Sequence, residues 1–323
     1  MKYYVGVELG VANTVVGVVD KHGHLLRKES QPTNTNRPFE ELIRDLAAFI
    51  NEVLANEDID ARNVKYIGVG FPGIPNTKEG TIVKSYTLEL QNAPVSAELE
   101  KYFHLPVYVE NSANCAALAE SVSGAASDID FSVTIKIGNG IGCGIIVNNE
   151  IYSGFNFAGA EPGHMVVAMG GETCTCGRKG CWEVYASATA LIRQTRAAAE
   201  GNPNSLIHKV VNGDLSQIGV LTAFEAAKLG DATAKDVVCR YLEYLGEGIV
   251  NIINVIMPQA VIISGEISKL GDTLLNPLRL IVNDRIYSKD ITQPDLKPAE
   301  MGSAAIVIGA AMLGLYKESN LPI

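Results

Sequence analysis

Apolar and polar residues are arranged along the chain in short blocks that predict strands and helices in turn. Two runs rich in β-branched residues, Tyr3 to Val7 and Thr14 to Val19, are separated by a glycine-containing segment, which predicts a β-hairpin. Between Pro38 and Leu54 apolar residues recur at helical spacing, and Thr35 or Asn36 is the predicted N-cap. Further elements are predicted as strands at Tyr66 to Gly70 and Val107 to Val109 and a helix at Ala116 to Val122.

The middle of the chain repeats this order of elements. Strands at Ser132 to Ile137 and Gly144 to Val147 flank a second glycine-rich turn, so two related halves are plausible. A long helix is predicted from Asp236 to Ile256, before a strand at Val261 to Ser264. The last helix, Ala304 to Tyr316, is expected to return and pack on the first domain. The order of strands and helices predicts α/β layers around a mixed sheet.

Length and composition agree with two folded domains. The 323 residues suffice for about two domains of roughly 150 residues each, and 47% hydrophobic with 19% charged residues is typical of a folded soluble protein. We predict an N-terminal α/β domain over residues 1–112, completed by a C-terminal helix at about 304–323. A larger α/β domain is predicted over residues 113–303.

Charge and hydropathy exclude two classes of partner. Lysine and arginine number 26 against 36 acidic residues, a net charge of −10, and no basic run occurs, which argues against a nucleic-acid binder. The N-terminus has no signal-peptide pattern, and the apolar stretch Ile249 to Met257 is interrupted by Asn251 and Asn254 and too short for a bilayer. We therefore expect a cytoplasmic protein with no membrane partner.

The most informative motif is a cluster of cysteines near the middle of the chain. Cys174, Cys176 and Cys181 are spaced C-x-C-x4-C, and His164 lies ten residues before them. Three thiolates and one imidazole satisfy tetrahedral Zn²⁺, and the intervening glycines permit the tight turns of a chelating loop. Four protein ligands leave no open position, so the predicted zinc is structural. It would hold the neighbouring acids Glu161 and Glu183 in place.

Around this cluster the sequence resembles the ROK family of repressors and sugar kinases. The resemblance is carried by four segments along nearly the whole chain: Phe157 to His164, the run Cys-x-Cys-Gly-x-x-Gly-Cys-x-Glu followed by Ser187, Glu110-Asn111-Ser112-Ala113-Asn114, and Gly138-Asn139-Gly140-Ile141-Gly142-Cys143-Gly144. It implies an α/β fold of the actin/hexokinase type, related to ribonuclease H, with two domains and an interdomain cleft. It also implies a homodimer and transfer of the ATP γ-phosphoryl group to a hexose, typically at the 6-hydroxyl, with Mg²⁺.

The resemblance implies a set of sugar-binding residues. They are Gly73, Thr87, Asn111, Ser112, Glu161, His164 and Glu183. The family often has asparagine where Thr87 stands. His164 would use one ring nitrogen for zinc and the other for a sugar hydroxyl. Ordinary solvated acids are the alternative interpretation of Glu161 and Glu183.

The resemblance also implies nucleotide-binding loops, and here the sequence departs from the family. The implied residues are Gly10, Asn13, Gly138, Asn139, Gly140, Gly142, Gly265 and Glu266. Where the family's first loop reads Asp-x-Gly-Gly-Thr-Lys, this chain has Glu8-Leu9-Gly10-Val11-Ala12-Asn13, so a glycine, a hydroxyl and a lysine are lost. Glu8 keeps a carboxylate that would orient Mg²⁺ through water. Glu266 is either a surface acid or a changed adenosine contact.

The sharpest departure is Ser112, at the position of the family's catalytic aspartate. A serine hydroxyl is a negligible base near neutral pH, and general-base help is typically worth about 10²–10⁴ in rate. Three explanations stay open: catalysis is weak, another group is the base, or the serine was introduced deliberately. The first hypothesis is a slow ROK-type hexokinase similar to glucokinase, and the alternative is a sugar-binding sensor or pseudokinase. A repressor would need an N-terminal DNA-binding segment, for which a first strand at about Tyr3 leaves no room.

Overall fold

The computed structural model describes residues 2–319, which form an α/β protein. Its strands are β1 Tyr3–Leu9, β2 Asn13–Val19, β3 Leu25–Pro32, β4 Val64–Phe71, β5 Ile74–Asn76, β6 Thr81–Ser85, β7 Leu90–Ala93, β8 Val107–Asn111, β9 Phe131–Ile137, β10 Ile141–Val147, β11 Glu150–Ile151, β12 Ala260–Ser264 and β13 Asp295–Pro298. Its α-helices are α1 Phe39–Asn56, α2 Val95–Phe103, α3 Ser112–Ser123, α4 Glu183–Ala186, α5 Ala188–Gly201, α6 Ile207–Val210, α7 Thr222–Lys228, α8 Ala232–Ile256, α9 Asp272–Arg285 and α10 Ala305–Ser319. All the strands and helices predicted from the sequence are present, and the last four residues of the predicted C-terminal helix lie outside the described residues.

The first sheet is mixed, as predicted, with the strand order β3-β2-β1-β4-β8. The expected hairpin is confirmed because β1 and β2 pair antiparallel, with Val7 opposite Val16. Strands β4 and β8 are both parallel to β1, through the β1–β4 and β4–β8 pairs. The predicted cap of the first helix is wrong: α1 begins at Phe39, the cap position is occupied by Pro38, and no side chain caps the helix. Proline has no side-chain oxygen, so it cannot accept a hydrogen bond from the first N–H groups of the helix as a polar cap would.

The chain divides into two compact units. The first contains the chain up to Thr134, Gly144–Ala160 and the chain from Ala299 onward. The second contains Ile135–Cys143 and Glu161–Pro298. The boundary predicted between residues 112 and 113 stays a prediction.

Helix α10 packs on the first sheet, as expected, through unusually close backbone contacts. A Cβ atom placed on Gly68 would lie 1.8 Å from the carbonyl oxygen of Ala310, and one on Gly6 would lie 1.9 Å from that of Val307. Only glycine allows helix and strand to approach so closely. Tyr66, in β4, donates its hydroxyl to the carbonyl of Ala311 at 2.7 Å. Helix α1 covers the opposite face of the sheet, where its buried side chains join the core of the first unit.

The second five-stranded sheet has the order β11-β10-β9-β12-β13. In the second unit all five residues of β12 are buried, which agrees with the apolar run seen in the sequence. The long predicted helix is confirmed as α8, of 25 residues. Trp182 is fully buried against this helix: its indole donates to the carbonyl of Tyr244 at 2.7 Å, and its ring faces Gly248. Its role is therefore packing.

The third sheet is small, with the order β5-β6-β7. Among residues 2–319, every helix falls short of the length or the apolarity that a membrane span requires.

A buried carboxylate joins α3 to the segment that precedes α10. Glu120 is 0% exposed and accepts hydrogen bonds from three backbone N–H groups, those of Ala125 at 2.9 Å, Glu300 at 3.1 Å and Met301 at 2.9 Å. The carboxylate therefore ties the entry of the C-terminal helix to the first unit. Such bonds to a charged group each contribute about 1.5–3 kcal/mol.

We predict that Glu120→Ala lowers the free energy of unfolding by about 3 kcal/mol, because it removes a charged acceptor from one buried and two partly buried N–H donors. Urea unfolding measures the change. The matched control is Glu52→Ala, an exposed acid on α1 of the same unit, which should change stability by no more than about 0.5 kcal/mol. Equal losses in the two variants would contradict the role given to Glu120.

Candidate functional site

In the first unit the candidate residues follow the carboxyl ends of three parallel strands. Glu8 lies near the end of β1, Gly73 follows β4, and Ser112 follows β8. The registers place Glu8 opposite Gly70, and Gly70 opposite Glu110. Because parallel strands end at one edge of their sheet, these positions are brought to the same edge, where ligands of α/β proteins usually bind.

At this edge Asn111 organises the start of α3. Its side-chain oxygen accepts from the backbone N–H of Ala113 at 2.7 Å, and its amide nitrogen donates to the carbonyl of Gly73 at 2.9 Å. Asn111 therefore acts as the N-cap and fixes the loop after β4. Ser112, the first residue of α3, is 8% exposed. Its hydroxyl thus lies at the positive end of a helix, a place that favours a bound anion or an acidic side chain.

The first glycine loop is closed by its own backbone and by a neighbouring threonine. The N–H of Gly10 donates to the carbonyl of Asn13 at 3.1 Å. The hydroxyl of Thr33 donates to the carbonyl of Gly10 at 2.7 Å, and its N–H donates to the carbonyl of Ala12 at 3.0 Å. The loop is thus well held, although Asn13 is exposed and supplies no positive charge.

In the second unit the predicted metal ligands converge. The side-chain donor atoms of His164, Cys174, Cys176 and Cys181 all lie within 4.8 Å of one another. The sulfurs of Cys176 and Cys181 are 3.7 Å apart, and the sulfur of Cys174 is 3.7 Å from Nδ1 of His164. Ligands about 2.3 Å from a tetrahedral zinc would be roughly 3.8 Å apart, so donor type and spacing both fit Zn²⁺.

Glycines shape this loop, as expected from the sequence. Gly177 and Gly180 have φ of 88° and 82°, values that other residues rarely adopt. A Cβ on Gly180 would also lie 1.8 Å from the carbonyl oxygen of Ala168. Arg178, between them, donates to the carbonyl of His164 at 2.9 Å and so joins the loop to the segment that carries the imidazole.

The thiols differ in their acidity when no cation is bound. Burial raises the pKa of the Cys174 thiol to about 12, and its hydrogen bond to Glu183 acts in the same direction. Burial also raises the pKa of Cys181, whereas a hydrogen bond from the backbone of Arg178 lowers that of Cys176. Zinc binding would therefore displace protons from at least two buried thiols.

Glu183 connects the cysteine cluster to the second glycine loop. One carboxylate oxygen, Oε1, accepts from the Cys174 thiol at 3.0 Å and lies 3.5 Å from Nδ1 of His164. The other, Oε2, accepts from the N–H of Ile141 at 3.3 Å. A zinc-bound thiolate has no proton to donate, so in the loaded protein Oε1 would be available to another donor, such as a ligand hydroxyl. A Cβ atom on Gly140 would lie 2.4 Å from Oε2, so a side chain there would displace this carboxylate.

Glu161 precedes the short turn that carries His164. Desolvation by the surrounding protein raises the pKa of Glu161, the charge of Glu183 acts in the same direction, and His164 opposes it. The residue itself is accessible to solvent. The turn rests on the second glycine loop, because a Cβ on Gly163 would lie 2.3 Å from the carbonyl oxygen of Ile141. Packing thus places Glu161, His164 and Glu183 around one loop.

Two predicted site residues have different surroundings. Thr87 is exposed in the β6–β7 connection. Two residues earlier, Ser85 donates its hydroxyl to the carbonyl of Pro72, just after β4. Glu266 is exposed and lies 3.8 Å from Lys269, an arrangement common for surface acids. Gly265 precedes it with φ of 109°, and a Cβ there would lie 2.1 Å from the carbonyl oxygen of Ile137.

Sequence reasoning missed two residues beside these loops. Arg178 has no signal in the sequence, because its bond to His164 depends on how the loop folds. Lys136 has one: it is a charged residue inside the apolar run of β9, two positions before Gly138.

Comparison with known proteins identifies the family. The model of the ROK family matches residues 4–317. The glucokinase of Thermotoga maritima is 33% identical over 310 residues, which cover 96% of each chain. The xylose repressor of Bacillus subtilis is 29% identical over 313 residues, which cover 96% of this chain and 76% of the repressor. A crystal structure of a ROK family glucokinase from Streptomyces griseus, in complex with glucose and AMPPNP, is 30% identical with a TM-score of 0.84 and covers 96% of this chain and 98% of that one.

These matches define the protein as an α/β protein of the actin/hexokinase type with two domains, as predicted. The chain belongs to the ROK family.

We predict that the purified protein contains about one zinc ion per chain and that Cys174→Ser loses it. The melting temperature should then fall by more than about 5 °C, because structural zinc contributes directly to folding and a loss of a few kcal/mol has this effect in domains of this size. Metal analysis and thermal unfolding measure the two quantities.

The matched control is Cys239→Ser, at an exposed cysteine of α8 that lies outside the cluster. It should keep both the zinc and the melting temperature. The zinc assignment would be refuted if the wild-type protein contained no zinc and Cys174→Ser had the same melting temperature as the wild type.

Proposed function

We propose that this protein phosphorylates a glucose-like hexose, at its 6-hydroxyl, with ATP and Mg²⁺. The observation that carries the proposal is the joint placement of Glu183 and His164 against the second glycine loop, with Glu183 bonded to the N–H of Ile141. Carboxylate and imidazole groups held by a cluster of metal ligands provide the fixed acceptors that recognition of sugar hydroxyls requires. Full-length similarity to glucokinases supports the same function.

The units would contribute different groups. From the second unit, Glu161, Glu183 and the ring nitrogen Nε2 of His164 would bind hydroxyl groups, since Nδ1 faces the metal ligands. From the first unit, Gly73, Thr87, Asn111 and Ser112 are the proposed sugar contacts. The first two of the nucleotide-binding positions, Gly10 and Asn13, are also in this unit. The others, Gly138, Asn139, Gly140, Gly142, Gly265 and Glu266, are in the second.

In the proposed reaction the 6-hydroxyl oxygen forms a bond to the γ-phosphorus, the bond from that phosphorus to the bridging oxygen breaks, and ADP leaves. The hydroxyl proton must be removed, and the Ser112 hydroxyl is not basic enough to accept it. Positioning and electrostatic stabilisation supply most of the catalysis in phosphoryl transfer. Slow turnover therefore survives the loss of a base, with Ser112 holding the sugar hydroxyl by a hydrogen bond and the proton passing to water.

The Mg²⁺ ion would neutralise charge on the phosphates. Glu8 fits this ion chemically, because Mg²⁺ prefers carboxylate oxygens and often keeps a water shell. The position of Glu8 at the end of β1, directly before the first glycine loop, suits contact through such water. A cytoplasmic location, a homodimer and the absence of nucleic-acid binding stay predictions.

A second candidate function is sugar sensing without catalysis. Ser112 in place of a base and the uncharged first loop favour it, and so does the similarity to xylose repressors over 96% of this chain. Such a protein would bind a hexose through the same residues, and the binding would change its interaction with a partner.

We predict that Ser112→Asp raises the rate of hexose phosphorylation by about 10²–10⁴-fold, because it supplies the missing general base. A carboxylate at the first residue of α3 is also favourable for the helix, so folding should be preserved. ADP release, measured over a panel of hexoses, gives the rate. Ser112→Asn is the matched control, since it has similar size to aspartate and no basic group, and it should give no increase.

The wild-type protein decides between the two functions. Slow but measurable turnover supports the kinase. No turnover in the wild type with clear turnover in Ser112→Asp supports the sensor. If neither the wild type nor Ser112→Asp releases ADP although a hexose binds measurably, the result contradicts phosphorylation and indicates a lost nucleotide site.

A further inference from the structure

Lys136 is a half-buried lysine without a partner in the described structure. It is the sixth of seven residues of β9, and both its neighbours, Ile135 and Ile137, are buried. Among residues 2–319 no acidic side chain forms an ion pair with it, and no hydrogen bond from its ammonium group is formed. Glu183, which contacts the next loop at Ile141, does not pair with it either.

The ammonium group of Lys136 is available to a ligand. A lysine of intermediate exposure lays its aliphatic stem along apolar neighbours and keeps its charged end accessible. None of the acidic side chains described within residues 2–319 pairs with it. A bound anion would supply the opposite charge.

The loop that follows has the other features of an anion site. The N–H of Gly138 is used within the turn, donating to the carbonyl of Gly140 at 3.0 Å. The N–H groups of Asn139 and Gly140 donate to no residue in the described part of the chain. A Cβ on Gly138 would meet no atom within 4 Å, so there is open space beside the loop. Lys136 precedes this loop by two residues, and unused backbone N–H groups together with a cation form a suitable cradle for phosphate oxygens.

We propose that Lys136, which precedes the second glycine loop, binds the terminal phosphates of the phosphoryl donor and supplies positive charge to them, in a chain whose first loop has Asn13 where the family has lysine. The proposal rests on the proposed function in its choice of ligand, a nucleoside triphosphate. Lys136 would thus be a donor-binding residue, and the loss of a basic residue from the first loop would be compensated elsewhere in the chain.

The test measures binding of AMPPNP, of inorganic tripolyphosphate and of glucose to the intact wild-type chain and to Lys136→Gln by calorimetry. We expect the Kd of both phosphate ligands to rise about 10- to 100-fold, as for loss of a charge-assisted hydrogen bond. The Kd of glucose should stay the same. Lys136→Arg, which keeps the charge, should recover most of the affinity.

Stability without ligand separates this role from a structural one. Removal of an unpaired, half-buried charge should leave the melting temperature of the free protein unchanged or raise it, while the increase caused by AMPPNP is lost. The matched control is Lys228→Gln, an exposed lysine of α7 in the same unit. It makes the same change in net charge and should alter neither quantity.

Three results would overturn the proposal: unchanged phosphate binding in Lys136→Gln, a free variant that is clearly less stable than the wild type, or a wild type that binds neither AMPPNP nor tripolyphosphate. Failure of the proposed function looks different. If the wild type binds AMPPNP through Lys136 and phosphorylates no hexose, the role of Lys136 stands and the kinase function does not.

Discussion

Three sulfurs and one imidazole nitrogen within 4.8 Å of one another are the constraint on which the candidate site depends. Each ligand comes from a segment with little regular structure, and such segments do not hold a fixed geometry by packing alone. The cluster brings the carboxylate of Glu183 to His164, and Glu183 in turn bonds to the second glycine loop at Ile141. A cation bound at this cluster would therefore order the proposed sugar-binding groups of the second unit and the second glycine loop together.

In the first unit, strand ends and hydrogen bonds position the candidate residues. Parallel strands end at one edge of the sheet, and Asn111 caps α3 while it bonds to the loop that contains Gly73. The sheet is supported from behind by α10, whose approach to Gly6 and Gly68 leaves no room for side chains. Packing and hydrogen bonds thus position the candidate residues of the first unit, whereas metal ligation would position those of the second.

The departures from the family pattern remove charge, basicity and one glycine of the first loop. Glycines remain where a Cβ would collide with backbone atoms, as at Gly163 and Gly180. The base at position 112 and the cation at position 13 are gone. The two proposed functions, kinase and sensor, therefore require the same backbone framework and differ in a few polar groups.

The sequence alone determined the elements and the donor set. Runs of β-branched apolar residues predicted the strands, and helical spacing predicted the long helices, because both patterns reflect burial. The C-x-C-x4-C spacing with His164 predicted the cluster, because few other arrangements of cysteine are so compact. Sequence reasoning failed for the cap of α1, where Pro38 stands at the cap position. Tertiary structure alone decided that Glu183 bridges the cluster and the glycine loop, that Glu120 anchors the entry to α10, and that no acidic side chain described within residues 2–319 pairs with Lys136. Those contacts join residues far apart in the chain, so no local pattern of hydrophobicity or spacing records them.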